Sequence, residues 1–205
     1  MQHDFILLDR SQSMADAGKW PEAVKAINLY VKKLADDDVD TGVTLAAFDK
    51  YNGEFDYRVI RDRITPKTWR PVDDTDASPR GWTPLNDAIG RMVSQARAAA
   101  YDKVAIIIVT DGEENSSKEL TVAEAKAQLD DCRKRGWQVI FLGADYDNVA
   151  QAASYGTKAS STVQPTVENL AEAMSATASM RTRYGLTGQA MEYDEDTRQR
   201  MRRGG

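Results

Sequence analysis

Residues 4–14 read DFILLDRSQSM, in which a short apolar run is followed by an aspartate and two serines. Residues 5–8 are apolar without interruption and run into Asp9, a pattern typical of a β-strand buried on both faces. Asp9 would lie at the carboxyl end of that strand, which is where open α/β sheets bind ligands. Ser11 and Ser13 then place two hydroxyl groups close to the carboxylate. An oxygen-only set of this kind suits a hard divalent cation, Mg²⁺ before others.

The pattern Asp-x-Ser-x-Ser after an apolar strand resembles the metal-ion-dependent adhesion site of von Willebrand factor type A domains. An ordinary strand-to-helix turn, with Ser13 or Asp16 as a helix cap, explains this stretch more simply when it is taken alone. The resemblance therefore depends on whether the rest of the chain supplies the remaining ligands in the family's order. One departure is that Arg10 and Gln12 stand where the family often has small residues. Arg10 is expected to crowd the loop or to contact an acidic partner.

Length and composition indicate one globular domain rather than a disordered or membrane-spanning chain. The 205 residues are 41% hydrophobic and 29% charged, and they are enough to build a full α/β core. A formal net charge of −5 without a large basic block argues against a nucleic acid partner. No apolar run approaches the roughly 20 residues that span a bilayer. A single cysteine and the lack of a signal-peptide pattern favour a cytoplasmic protein.

The first helix and the first hairpin are predicted from periodicity and turn residues. Apolar residues from Trp20 to Leu34 recur at spacings of three and four, which predicts an amphipathic helix. Residues 42–51 predict a strand, and Asn52-Gly53 is then the strongest short signal for a β-hairpin. The alternating residues that follow predict an antiparallel, half-exposed edge strand. Type A domains have one short antiparallel edge strand in this place.

Residues 61–82 form a long predicted loop that is polar and rich in Pro and Asp. A helix with an apolar stripe follows, and its predicted N-cap is Thr83, with Pro84 as the first helical residue. In the family pattern, a threonine at this place supplies a third hydroxyl ligand to the metal. Capping and metal ligation compete for the single hydroxyl oxygen of Thr83, and the sequence is compatible with either role.

Residues 104–109 are the most apolar run of the chain and predict a central strand. They run into Thr-Asp-Gly, and the resemblance implies that its aspartate, Asp111, is a metal ligand. Because parallel strands end at one edge of a sheet, Asp9 and Asp111 are expected to meet there. Residues 113–115 are interpreted as simple surface groups, with a position at the rim of the metal site as the alternative.

The remaining chain predicts further α/β units. A capping box at Thr121 opens a helix that carries Cys132 on its apolar face, so Cys132 is expected to be a core residue rather than a nucleophile. A strand at residues 137–142 would end with residues 143–145 at the metal edge. A short helix, a weak strand and a final helix at residues 166–178 are expected after it.

The expected fold class is α/β, with a doubly wound and mostly parallel sheet, one antiparallel edge strand, and helices on both faces in the Rossmann-like manner. We expect residues 1–180 to form the von Willebrand factor A-like domain. Residues 181–205 are polar and rich in arginine. We interpret them as a C-terminal tail that is solvated or disordered, with a docking segment as the alternative.

The resemblance implies a metal site and a binding function. The implied ion is Mg²⁺, with Mn²⁺ or Ca²⁺ as alternatives, and the implied ligands are Asp9, Ser11, Ser13, Thr83 and Asp111. Three of these are neutral hydroxyls, so the ion would keep an open position for a carboxylate of another protein. The implied partner is a protein that offers an acidic residue and, by fold analogy, an AAA+ ATPase or another multi-protein assembly. No membrane partner is expected.

Two other functions stay open as alternatives. A Mg²⁺-dependent phosphatase-like enzyme would also place an aspartate after the first strand, but it needs a second carboxylate two residues later, where this chain has Ser11. Glycine motifs for phosphate or dinucleotide binding are missing, and His3 has no expected role. We therefore expect no enzymatic activity. A structural type A domain with a non-functional metal site is the third interpretation.

Overall fold

The computed structural model describes residues 1–143 and 148–202. Within these ranges one six-stranded sheet has the order β3-β2-β1-β4-β5-β6, and its strands are β1 Gln2–Asp9, β2 Gly42–Tyr51, β3 Glu54–Ile64, β4 Lys103–Thr110, β5 Gln138–Gly143 and β6 Thr162–Val163. The α-helices are α1 Lys19–Asp36, α2 Leu85–Ala98, α3 Val122–Lys134, α4 Asn148–Ser154, α5 Leu170–Thr187 and α6 Glu195–Arg202. None of the helices in these ranges has the length and apolar character that a membrane span requires.

Successive residues of β1 point to opposite faces of the sheet and belong to two separate hydrophobic layers. Ile6 and Leu8 pack in the layer that contains α1 and α5, whereas Phe5 and Leu7 pack in the layer that contains α2 and α3. All four side chains are buried. Burial on both faces therefore explains the uninterrupted apolar run, and the expected doubly wound α/β fold is confirmed.

The β2–β3 hairpin confirms the prediction of an antiparallel edge strand. Asn52 and Gly53 both have positive φ angles, of 52° and 82°, as a two-residue hairpin turn of the predicted kind requires. The other neighbouring strands of the sheet pair in parallel. Strand β3 continues to Ile64, and a 3₁₀ turn Pro66–Thr68 follows it. The loop predicted to begin at residue 61 therefore begins later.

The C-terminal part of the chain differs from the expected tail. Helix α5 runs without a break across residue 180, so the predicted domain division falls inside a helix. Met191, Tyr193 and Met201 are buried in the same layer as α1 and α5. The interpretation as a solvated or disordered tail is wrong for residues 181–202, because their scattered apolar side chains complete this layer.

Arg181 joins α5 to the start of β1. Its fully buried side chain donates from Nε to Asp4 Oδ1, from Nη1 to Gln2 Oε1 at 2.9 Å and from Nη2 to Thr41 Oγ1 at 3.1 Å. The Tyr30 hydroxyl donates to the second oxygen of Asp4 at 2.8 Å. Burial raises the pKa of Asp4, and the guanidinium of Arg181 acts in the opposite direction. A charge pair buried in this way is stable only while both partners are present.

His3 is buried near the start of β1, at the end of the sheet opposite to Asp9. Its Nε2 lies 2.9 Å from Thr44 Oγ1, and its ring stacks on Tyr101 with the ring centres 4.3 Å apart. Burial lowers the pKa of His3 from 6.5 to about 4. The carboxylate of Asp62 acts to raise this pKa, and the guanidinium of Arg63 acts to lower it. His3 is therefore a neutral structural residue at pH 7.

This histidine is expected to make the protein less stable as the pH falls from 6.5 toward 4, because the unfolded chain binds a proton that the folded chain binds poorly. The loss from His3 should be about 2.5 kcal/mol at pH 4.5. Urea unfolding of the wild type and of His3→Gln at pH 7 and pH 4.5 measures this loss, since glutamine does not titrate. Equal acid sensitivity of the two proteins would assign the effect to other groups.

Candidate metal centre

Asp9 ends β1 with its carboxylate fully buried. Oδ1 accepts the Ser11 N–H at 2.7 Å, and Oδ2 accepts the Thr110 hydroxyl at 2.6 Å. Burial raises the pKa of Asp9 to about 7, while these hydrogen bonds act in the opposite direction. A buried carboxylate of this kind is costly to ionise, and a cation beside it would offset that cost.

Hydroxyl groups connect the loop after β1 with the loop after β4. Ser11 Oγ lies 3.1 Å from Ser13 Oγ, and Ser13 Oγ donates to Asp111 Oδ1 at 2.9 Å. Strands β1 and β4 are parallel neighbours, so both loops leave the sheet at the same edge. The expected meeting of the two loops is therefore realised as a direct hydrogen bond between their side chains.

Gly112 borders a small space that the three predicted metal loops surround. A Cβ atom added to Gly112 would lie 2.9 Å from Thr83 Oγ1, 3.5 Å from Asp9 Oδ2 and 3.5 Å from Ser13 Oγ. Oxygen atoms from the loop after β1 and from the loop before α2 thus converge on the backbone of the loop after β4, at a point that only a glycine leaves open. Carboxylate and hydroxyl oxygens are the donors that Mg²⁺ prefers, so the residues present fit a hard divalent cation.

The backbone of Thr83 is held by two hydrogen bonds to Asn115, and its side chain does not cap α2. Its N–H donates to Asn115 Oδ1 at 2.9 Å, and its carbonyl accepts the Asn115 N–H at 3.2 Å. Helix α2 begins at Leu85, and Pro84 occupies the N-cap position. The predicted N-cap role of Thr83 is therefore wrong, because the helix begins two residues after it and its hydroxyl faces the space beside Gly112.

Glu114 supplies the cap of α2 instead. Its Oε2 accepts the Asn86 N–H at 2.8 Å, and its Oε1 accepts the Ser117 N–H at 2.7 Å. The interpretation of residues 113–115 as simple surface groups is wrong for Glu114 and Asn115, because both join the loop after β4 to the residues around the start of α2. The bonds to Asn86 and Thr83 leave no local sequence pattern, since they join side chains to backbone amides 28 and 32 residues away in the chain.

Gln151 is a further positioning residue that the sequence did not indicate. It lies on α4, and its Nε2 donates to the Gly112 carbonyl at 3.1 Å. Its Oε1 accepts the Glu114 N–H at 3.3 Å. Gln151 therefore holds the backbone of the loop after β4 through two hydrogen bonds.

The ammonium group of a lysine side chain lies beside the candidate site. Lys19 opens α1, and its Nζ donates to Asp111 Oδ2 at 2.7 Å. The Asp111 side chain is fully buried and that of Lys19 nearly so, with 0% and 11% exposure. Because the two residues are 92 positions apart in the chain, no local pattern indicates this pair. A metal ion and the ammonium group would share the carboxylate of Asp111.

Within residues 1–143 and 148–202, no group of three or more His, Cys, Asp or Glu side chains could hold a metal. The candidate centre has two carboxylates, so it depends on the hydroxyls of Ser11, Ser13 and Thr83 for its other donors. Residues 144 and 145, which were expected at the same edge of the sheet, lie outside the part of the chain that the structure describes.

Comparison with known sequences identifies the family. The sequence model of the von Willebrand factor type A domain matches residues 5–179, from β1 into α5. The chain belongs to the von Willebrand factor type A family. A search among curated proteins found no match. The matched range includes the three loops of the candidate centre, so the expected resemblance is confirmed at the level of the family.

Several solved structures have the same fold at low sequence identity. The PilB minor pilin from Streptococcus sanguinis is 12% identical with a TM-score of 0.61 over 89% of this chain and 61% of that chain. The vWF domain of the type V pili tip protein Mfa5 from Porphyromonas gingivalis is 12% identical with a TM-score of 0.64 over 100% and 97%. Manganese-loaded TRAP protein from Plasmodium vivax is 12% identical with a TM-score of 0.56 over 84% and 71%. This chain therefore spans less than two thirds of the PilB minor pilin.

Arg10 is buried in this type A domain, although a small residue often stands in its place in the family. Its Nη2 donates to Asp49 Oδ1 at 2.8 Å and to Asp56 Oδ2 at 2.5 Å. Arg80 donates to Asp49 Oδ2 and to Asp56 Oδ2, each at 2.7 Å. The expectation that Arg10 crowds the loop or contacts a partner is wrong, because two aspartates of the β2–β3 hairpin neutralise its charge.

The loops of the candidate metal centre are fixed to the hairpin by a four-charge cluster of Arg10, Asp49, Asp56 and Arg80. Two backbone hydrogen bonds reinforce the cluster, one from Arg80 N–H to the Arg10 carbonyl at 2.7 Å and one from Gln12 N–H to the Gly81 carbonyl at 3.0 Å. The loop before Thr83 is thus held directly against the loop that carries the two serines.

Proposed function

We propose that this type A domain is a protein-interaction module that binds a carboxylate of its partner through a divalent metal ion, Mg²⁺ before Mn²⁺ or Ca²⁺. The ion would be held by Asp9, Ser11, Ser13, Thr83 and Asp111. The observation that carries this proposal is that oxygen atoms of Asp9, Ser13 and Thr83, which come from two loops, converge on the space beside Gly112 in the third loop. The manganese-loaded TRAP structure supports it, since it is a protein of the same fold that carries a divalent metal.

The protein side of this mechanism is a partly neutralised set of oxygen donors. Asp9 already accepts hydrogen bonds from Ser11 and Thr110, and Asp111 accepts from Ser13 and Lys19. Their negative charge is therefore shared with other donors before any ion binds. When bound, the metal would supply an electrophilic coordination position for an external carboxylate. The fixed hairpin and the Asn115 bonds keep the donors in place, so little reorganisation accompanies binding.

The proposed partner is a protein that presents an aspartate or glutamate. The pilin and pili tip neighbours support a role in protein–protein contacts for this fold. The more specific suggestion of an AAA+ ATPase or another multi-protein assembly has no support in these comparisons and stays a hypothesis. Localisation in the cytoplasm likewise stays a prediction. Neither nucleic acid nor a membrane is part of the proposed interaction.

One observation favours the alternative of a structural domain with a non-functional metal site. The Lys19 ammonium already pairs with Asp111, and its positive charge opposes a metal ion at the same carboxylate. The phosphatase-like alternative still lacks the second carboxylate, since Ser11 stands at that position. Calorimetry with Mg²⁺ on the wild type separates the metal-dependent interaction module from the structural domain, because a non-functional site should give no heat at millimolar metal.

Thr83→Ala is expected to weaken Mg²⁺ binding at least tenfold while the protein stays folded. The hydroxyl faces the space beside Gly112 and does not cap α2, so its removal should cost about 1 kcal/mol of stability or less. Thr83→Ser is the matched control, since serine keeps the oxygen and should retain most of the affinity. Calorimetry and thermal unfolding with and without Mg²⁺ check both variants. Wild-type affinity in Thr83→Ala would remove this residue from the metal site.

A further inference from the structure

Trp82 is an exposed aromatic residue next to the candidate metal centre. Its side chain is 65% exposed, whereas Trp20 and Trp137 are buried. Trp82 directly precedes Thr83, one of the five proposed metal ligands. Large aromatic side chains contribute strongly to protein interfaces when they are buried by a partner. An indole in this position is available to the same partner that would reach the metal.

The backbone that presents Trp82 is fixed. Its N–H donates to the Lys50 carbonyl at 3.0 Å, and its carbonyl accepts the Lys50 N–H at 3.0 Å. The preceding Gly81 has a φ of +69°, and a Cβ atom there would lie 2.2 Å from the Lys50 carbonyl oxygen. Only glycine permits this close approach without a shift of the backbone. The exposure of the indole is therefore a property of the fold rather than of a loose loop.

Trp82 and three of the five candidate metal ligands line one cavity of about 470 Å³. Ser11, Ser13 and Thr83 contribute to the same lining, so the indole and three proposed ligand hydroxyls face a common space. This volume lies within the range of ligand pockets in proteins and exceeds what a single carboxylate needs. A partner segment that placed its acidic side chain at the metal would therefore bring a neighbouring side chain against Trp82.

The charges around Trp82 decide what this neighbouring side chain should be. Lys50 pairs with Trp82 across the backbone bridge and contributes a positive charge. Arg80 contributes no net charge, because Asp49 and Asp56 already pair with its guanidinium. With a divalent ion in the same cavity, a further cation from the partner would be repelled. The indole is itself apolar, so a large apolar side chain gains most from contact with it.

We propose that Trp82 selects partner segments in which the metal-binding Asp or Glu stands next to a large apolar residue. This inference rests on the proposed function, since it assumes that a carboxylate reaches the metal. Trp82 is then a specificity-determining residue: the metal binds the acid, and the indole distinguishes one acidic segment from another. The expected partners are then restricted to proteins whose exposed carboxylate has a large apolar neighbour.

Capped pentapeptides test the inference on the intact chain in Mg²⁺. Three probes share a central Asp that is flanked on both sides by Leu, by Gly or by Lys, and a fourth has Asn between two Leu residues. Two-dimensional NMR titration measures each affinity. The Leu-flanked peptide is expected to bind the wild type about fivefold more tightly than the Gly-flanked peptide. Trp82→Ala should bind both with the weaker affinity, whereas Trp82→Phe should keep most of the preference.

The outcomes separate this inference from the function on which it rests. An unchanged Leu preference in Trp82→Ala, equal binding of the Leu and Gly probes by the wild type, or a preference for Lys would each overturn the inference alone. Equal binding of the Asp and Asn probes, or binding that survives a chelator, would overturn the metal–carboxylate function and this inference with it. Trp82 is exposed, so thermal unfolding of the two Trp82 variants should match the wild type.

Discussion

Arg181→Met is expected to destabilise the protein by about 3–5 kcal/mol, because it leaves Asp4 buried without its cation. The substitution keeps a long side chain, so the loss comes from charge rather than from a large cavity. For a domain of this size the melting temperature should fall by roughly 10 °C. Urea and thermal unfolding at pH 7 measure both quantities.

Arg183→Met is the matched control, since Arg183 lies on the same helix and is exposed. Its substitution is expected to change stability by less than about 0.5 kcal/mol. A large loss in Arg181→Met alone would establish that α5 beyond residue 180 is part of the folded domain. If the two variants were equally stable, the buried pair with Asp4 would be of no consequence, and the tail interpretation would return.

Gly112→Ala is expected to abolish Mg²⁺ binding although it removes none of the proposed ligands. The added methyl group would lie 2.9 Å from Thr83 Oγ1 and 3.5 Å from both Asp9 Oδ2 and Ser13 Oγ, so it fills the space proposed for the ion. Gly112 is not among the glycines with positive φ, so alanine adds no strain of that kind. Calorimetry with Mg²⁺ should lose its signal.

Thermal unfolding supplies the control for Gly112→Ala. In the wild type, metal at a hundred times its dissociation constant should add about 2.7 kcal/mol of stability, and this gain should be lost in the variant. In chelator the two proteins should unfold at similar temperatures. A variant that still gains stability from Mg²⁺ would place the ion elsewhere. If Gly112→Ala is unstable in chelator, the Thr83 side chain cannot move away from the added methyl group. The double variant Thr83→Ser/Gly112→Ala should then be measured, because the smaller serine side chain can rotate away.

The parts of the structure that the sequence predicts well are those with strong local patterns. The run of residues 5–8 needs burial on both faces, and this requirement gives a central strand in a doubly wound sheet. The turn at Asn52-Gly53 gives the antiparallel hairpin. The five proposed ligands lie beside the ends of β1 and β4 and the start of α2, and each of these elements has a strong local pattern. The structure brings the loops of these three elements to one edge of the sheet.

The parts that the sequence did not predict depend on long-range polar contacts. Arg181 and Asp4 are joined across nearly the whole chain, and the surrounding residues 181–202 are so polar that their few buried apolar side chains show no periodicity. The side-chain bonds of Glu114 and Asn115 to backbone amides at the start of α2 and just before it also leave no local pattern. Such contacts are determined by the assembled fold rather than by the nearby sequence.

One missed feature had a readable signal. The two-residue turn at Asn52-Gly53 sets the hairpin register, which places Asp49 directly opposite Asp56. Like charges at opposing positions are destabilising unless cations lie beside them. The register therefore predicts basic residues beside this hairpin, and Arg10, which directly follows β1, is one candidate. The structure pairs Arg10 with both aspartates.

The Lys19–Asp111 pair bears on how a chelation experiment on this protein should be interpreted. Lys19 is a covalent part of the chain, so one of the two buried carboxylates at this edge keeps a positive partner even when divalent ions are withdrawn. Lost partner binding in chelator would then report the removal of a contact rather than collapse of the domain. The same lysine makes Mg²⁺ a competitor for a carboxylate that is already engaged, so occupancy of the site would follow the concentration of free ion in the surroundings.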